Sequence, residues 1–180
     1  LIFGGIAAVM SILTLVPLFP ETTVSGGVLV FVGLLVGVFV GGVYGALPGA
    51  LKAYADANEI ITTIMLNFIA LGLGLFLLNG PFQGPEVQEA RTASLPDYVG
   101  FPQFLFSSGS FSLVGLAIAV ATVVAMYYLL TRTRVGYDMV TSGKQEAAAI
   151  YSGVRAKRTI VGTMTLSGMI AGLAGAVFGI

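Results

Sequence analysis

Five stretches of this chain are apolar over a length that crosses a bilayer, or nearly so: about 1–18, 26–50, 60–78, 112–130 and 159–180. A spanning helix takes roughly 20 mostly apolar residues. Inside lipid, only a helix or a closed barrel satisfies every backbone group. Runs of this length give an all-α fold: a polytopic membrane helix bundle with about five transmembrane helices. Only 9% of residues are charged and the mean hydropathy is +0.99, far from the roughly 25% charge of a soluble domain. The sequence begins at Leu1 and ends at Ile180, both inside apolar runs, so residues 1–180 read as part of a larger transmembrane domain. Residues 1–18 read as a span and not as a signal peptide, because no basic stretch precedes them.

The polar connections then fall at 19–25, 51–59, 79–111 and 131–158. Six of the eight basic residues, Arg132, Arg134, Lys144, Arg155, Lys157 and Arg158, lie in the last of these. Lys and Arg concentrate on the cytoplasmic side, so 131–158 is expected inside, and alternation puts 51–59 inside with it. The inside segments hold seven basic residues against Asp56, Glu59, Asp138 and Glu146. The outside segments hold Arg91 against Glu21, Glu86, Glu89 and Asp97. Tyr127 and Tyr128, just before Arg132, fit an aromatic belt at the inner interface. Within 131–158, Lys144 to Ser152 looks like a short helical insert ended by Gly153. The outer segment 79–111 is turn-rich and acidic at first, then aromatic at Tyr98, Phe101, Phe104 and Phe106. That segment suits interfacial anchoring or the docking of an external partner.

The second apolar run carries glycine at every fourth position: Gly33, Gly37, Gly41, Gly45 and Gly49. This spacing puts all five on one slowly drifting helix face. Because hydrophobic drive between helices is weak in lipid, close backbone approach favours packing there. The last run repeats the theme with Gly168, Gly172, Gly175 and Gly179. Both faces are expected to be buried helix–helix contacts; a sliding or hinge surface is the alternative.

No catalytic constellation is present. With no Cys and no His, the usual nucleophile–base pairs and zinc or haem ligation are missing, and no metal site is expected. No phosphate-binding loop occurs, since Gly143-Lys144 is followed by Gln145 and no glycine stands five positions before Gly143. The spans lack the buried charges that mark proton relays and ion-coupled sites, which weighs against an ATP-independent secondary transporter or channel. A membrane scaffold without transport is a third class. Polar groups inside the spans are few. Asn67 sits near the middle of the third run, one turn beyond Thr63. An amide at that depth needs a partner, so it reads either as an interhelical hydrogen bond or, with Thr63, as the lining of a translocation path. Thr163, Thr165 and Ser167 have weaker claims, because such hydroxyls bond to their own helix.

The run Asn58-Glu59-Ile60-Ile61-Thr62-Thr63-Ile64-Met65-Leu66-Asn67-Phe68-Ile69-Ala70 closely resembles a stretch of ABC importer permeases of the simple-sugar and nucleoside type. Gly45-Ala46-Leu47-Pro48-Gly49-Ala50-Leu51-Lys52-Ala53 is similar to the segment preceding it in that family. Arg134-Val135-Gly136-Tyr137 and Gly143 to Val154 resemble its cytoplasmic coupling loop, and Ser167 to Ala176 the helix that follows. The family's Asn-Ile-Gly-x-Glu-Gly-Gln stretch is absent. At the coupling loop, Glu146-Ala147-Ala148 is followed by four residues before Gly153, a looser form than the Glu-Ala-Ala-x-x-x-Gly of ABC importers at large. The resemblance implies a plasma-membrane permease subunit working by alternating access. Its partners would be a second permease copy or paralogue, a cytoplasmic ABC ATPase and an extracytoplasmic substrate-binding protein; no nucleic acid is implied. It implies no cofactor in this chain, ATP and magnesium being held by the ATPase. Lys144, Glu146, Ala147, Ala148 and Gly153 would couple to that ATPase. The implied cargo is a nucleoside or a simple sugar; a branched-chain amino-acid permease of the same superfamily is the runner-up.

Overall fold

A computed structural model describes residues 2–15, 23–79, 113–144, 151, 153 and 155–179. Among the described residues the elements are six helices: α1 (Ile2–Leu15), α2 (Thr23–Ala55), α3 (Glu59–Asn79), α4 (Leu113–Arg132), α5 (Arg134–Lys144) and α6 (Ala156–Gly179). No strand occurs among the described residues. Among the described residues, four helices are long and apolar enough to cross a membrane: 26–55 in α2, 59–77 in α3, 115–132 in α4, and α6. The fifth apolar helix, α1, has 14 described residues, about 21 Å of helix against a hydrocarbon core of about 30 Å.

The centre of the bundle is α1, α2 and α6. Glycine is a poor helix former in water, but in lipid the helix satisfies the backbone and glycine's missing side chain permits close contact. The two long helices run antiparallel. A Cβ on Gly41 would sit 2.5 Å from the Gly168 carbonyl oxygen and 2.6 Å from the Gly172 Cα. Gly45 faces Gly168 and Met164, and Gly49 faces Val161 and Met164. Toward the other end, Gly37 meets Ala176 and the Gly4 carbonyl, while Gly33 meets Ile12 of α1. The first helix wedges between the other two: Gly4 lies against Gly172 and Gly5 against Gly175. Its Ala8 and Ile12 are fully buried. The opposite face of α2 stays exposed along Phe31, Leu35, Phe39, Val43, Leu47 and Leu51, a stripe at helical spacing that suits lipid or further helices.

Two connections differ from the sequence reading. The segment 51–59 is mostly helix, because α2 runs through Pro48 to Ala55. Past Lys52 the chain turns at Asp56, whose φ of 50° is left-handed, with the Ala57 N–H donating to the Leu51 carbonyl at 3.3 Å. Asn58 then caps α3, its Oδ1 accepting from the Ile60 N–H at 3.0 Å, so the link is only three residues, 56–58.

The segment 131–158 is likewise not all loop: α5 occupies Arg134–Lys144. Thr133 makes the break. Its hydroxyl donates to the Leu129 carbonyl at 2.6 Å and accepts from the Gly136 N–H at 3.1 Å, ending α4 and capping α5 with one side chain. Gly136 presses on the backbone of Leu129 and Leu130, where no Cβ fits. The helical insert at Lys144 to Ser152 lies largely outside the described residues, as does the outer segment 79–111 beyond Asn79.

The antiparallel packing brings the start of α6 beside the end of α2. Lys157 Nζ stands 5.9 Å from the Tyr54 ring centroid. Lys52, Arg155, Lys157 and Arg158 therefore share one end of the bundle, and α5 packs on α6 at that same end.

Candidate functional site

A cavity of about 370 Å³ opens between α3 and the packed trio of α1, α2 and α6. Thr63, Leu66, Asn67 and Ala70 line it from α3, and Gly41, Tyr44, Gly45 and Pro48 from α2. Phe3, Gly4, Gly168 and Ala171 complete its walls, together with Ile2. Glycine at 41, 45 and 168 leaves part of the α2–α6 side of this space without side chains. The two candidate path residues, Thr63 and Asn67, are thus brought to one cavity, one helical turn apart.

Three lining side chains carry polar atoms, and two are already committed. The Tyr44 hydroxyl donates to the Leu66 carbonyl at 2.5 Å, tying α2 to α3. The Thr63 hydroxyl donates within its own helix, to the Glu59 carbonyl at 2.7 Å and the Ile60 carbonyl at 3.1 Å. Asn67 differs: no hydrogen bond from its amide to another described residue forms. It is an exposed residue on the lining of a mostly apolar cavity, with two donors and a carbonyl acceptor to offer. Phe3 and Tyr44 form a tilted aromatic pair on one wall, ring centroids 4.7 Å apart. Pro48 adds a backbone acceptor, since it has no N–H to give the Tyr44 carbonyl one turn before it.

The sequence alone does not mark Tyr44, Phe3 or Pro48 as site residues. Pro48 within a spanning run was the available signal, because a proline frees a carbonyl at a fixed offset. Thr163 and Thr165 donate to the Thr159 and Val161 carbonyls, each at 2.8 Å, and neither lines this cavity.

At the basic end, Lys144 closes α5, and Gly153 takes φ 82°, the left-handed conformation glycine adopts after a helix. Glu146, Ala147 and Ala148 lie outside the described residues.

A family model described as the permease component of branched-chain amino-acid transport systems matches residues 1–180. The chain belongs to that permease family. Its relatives extend the description. The nucleoside ABC transporter permease protein of Lactococcus lactis is 33% identical over 136 residues, 72% of this chain and 37% of the relative. The glucose ABC transporter permease protein of Haloferax volcanii is 38% identical over 133 residues, 69% of this chain and 35% of the relative. The guanosine ABC transporter permease protein of Bacillus subtilis is 30% identical over 135 residues, 72% of this chain and 37% of the relative. The chain spans about a third of the length of these curated relatives. No solved structure matches it. The permease is a multi-pass protein of the plasma membrane, a helical bundle whose long apolar helices fit that setting.

Proposed function

We propose that this permease moves nucleosides or simple sugars inward through the space between α3 and the α1–α2–α6 trio. A separate cytoplasmic ATPase drives the transport, and an extracytoplasmic binding protein delivers the cargo. The observation that carries the reading is Asn67: an uncommitted amide at mid-span, facing a cavity with an aromatic wall. Uncharged, hydrogen-bonding cargo suits this lining. An amino acid would bring an ammonium and a carboxylate into a cavity whose lining holds no charged side chain, and unpaired charge at that depth is costly. A nucleoside is favoured over a sugar, because one amide edge plus an aromatic ring face matches a base better than a ring of hydroxyls. The relatives named for nucleosides, guanosine and glucose support the same range.

The basic end of the bundle is the cytoplasmic end in this reading, by the bias of Lys and Arg. The insert from Lys144 to Gly153 receives the ATPase, with Ala147 and Ala148 in its groove and Lys144 and Glu146 at its rim. It feeds directly into α6, and α6 is backbone-packed against α2, so displacement at the insert moves two walls of the cavity relative to α3. A second permease subunit, a copy or a paralogue, completes the path.

The test is uptake by the assembled transporter in proteoliposomes, with labelled nucleosides and sugars. Saturable nucleoside uptake that stops when ATP is replaced by a non-hydrolysable analogue is expected. Equal uptake without hydrolysis, or transport of neither class, overturns the proposal.

A further inference from the structure

A second groove, on the other side of α6, is separate from the cavity between α3 and the α1–α2–α6 trio. It starts at the basic end as a cavity of about 500 Å³ between α5 and α6. Val135, Asp138 and Met139 line it from one side, and Arg155, Arg158, Thr159 and Gly162 from the other, with Gly153 of the insert at its edge. Arg158, Thr159 and Gly162 lie on one face of α6, with Arg155 just before the helix begins, so this side of the groove runs from the polar end into the span. The same face continues as an apolar cavity of about 320 Å³ between α4, α5 and α6. Met139 is common to both cavities, and Met126, Leu130, Leu166 and Ile170 are among the lining of the second. From Arg155 to Ile170 the groove follows about 22 Å of helix. Gly162, at the junction, has nothing within 4 Å of where a Cβ would stand.

The groove therefore has a charged mouth and an apolar length. Its mouth holds two guanidinium groups against one carboxylate, and neither arginine is ion-paired among the described residues, where the one ion pair is Lys52 with Asp56. An excess positive charge beside the membrane surface attracts anionic headgroups, and arginine binds the oxygens of a phosphodiester through paired N–H groups. We infer that this groove holds an anionic glycerophospholipid such as phosphatidylglycerol. Its phosphodiester lies at Arg155 and Arg158, and one acyl chain runs along Gly162 toward Ile170, between α4 and α6. The lipid fills the space that keeps α4 from packing on α6, and it braces α5 beside the insert that enters α6.

The experiment is native mass spectrometry of the full chain purified from membranes in mild detergent, after exchange into equimolar phosphatidylglycerol, phosphatidylethanolamine and phosphatidylcholine. Wild type is expected to retain one phosphatidylglycerol at least tenfold over the other two. Arg155→Gln with Arg158→Gln should abolish that preference while leaving helical content unchanged. Gly162→Leu, which fills open space instead of displacing a neighbour, should lower total lipid retention with the arginines intact. Millimolar inorganic phosphate should not displace the lipid; displacement by phosphate would mean an anion site without a chain groove and would overturn the inference. Unchanged preference in the double arginine variant would also overturn it. So would a cross-link from a cysteine at 162 to another helix of the protein, which would mean that protein occupies the groove.

Discussion

Gly41 is a position where a single added side chain should cost much. A Cβ there meets the backbone of Gly168 and Gly172, and backbone cannot rotate away as a side-chain tip can. Gly41→Leu should therefore exceed the usual overpacking penalty of about 1–3 kcal/mol and sharply reduce folded protein. Gly72→Leu is the control, since nothing lies within 4 Å of that site; its yield should match wild type. Fluorescence-detected size exclusion of the two variants checks the contrast. Tyr44→Phe removes the α2–α3 hydrogen bond but keeps the ring. It should lower stability by about 1 kcal/mol, read as a small fall in melting temperature. The spacing of four on α2 and the glycines of α6 are visible in the sequence, because periodicity needs no partner to be seen. Gly4 and Gly5 are not: an adjacent pair has no period, and only the position of α1 between α2 and α6 gives it a use. Asn67 stands out from composition alone, but the commitment of Thr63 and Tyr44 to backbone carbonyls required the geometry.

The break between α4 and α5 rests on Thr133. Thr133→Ala removes the cap on α5 and the bond back to Leu129, at a cost of about 1 kcal/mol. Amide hydrogen exchange should speed up across 135–140 and stay unchanged in α2. The helix α5 is hidden in the sequence by its charges: a basic stretch read as a connection masks the spacing of Gly136, Met139 and Ser142, the face on which α5 packs. The end of α2 was hidden for the opposite reason, since Pro48 and Lys52 look like a stop, yet Pro48 costs only one backbone bond in a helix of 33 residues. Sidedness can be tested on exposed positions because the chain contains no cysteine. Ser142 is buried and would label poorly from either side, whereas Tyr151 is 94% exposed. A cysteine at Tyr151 should react with an impermeant thiol reagent only in inside-out vesicles; reaction in intact cells would reverse the proposed orientation.

Across the whole molecule, the account joins a polar insert at one end to a cavity at mid-span through a helix pair locked by glycine. A charge placed in the insert should then separate the two activities of the assembly. Ala148→Glu should abolish ATPase co-purification, or leave hydrolysis running without uptake, while the spans stay folded. Full uptake together with normal ATPase binding would remove the coupling role. The fold class follows from run lengths alone, because lipid permits so few structures. The cavity does not, since it depends on which helix faces meet, and many-sided apolar helices such as α3 carry little record of their neighbours. The most direct test of the central claim is Asn67→Cys in the assembled transporter. Substrate uptake should be blocked by a small membrane-permeant thiol reagent, and saturating nucleoside should slow that block at least severalfold. If the cysteine is modified without loss of uptake, or substrate gives no protection, the space between α3 and the α1–α2–α6 trio is not the path.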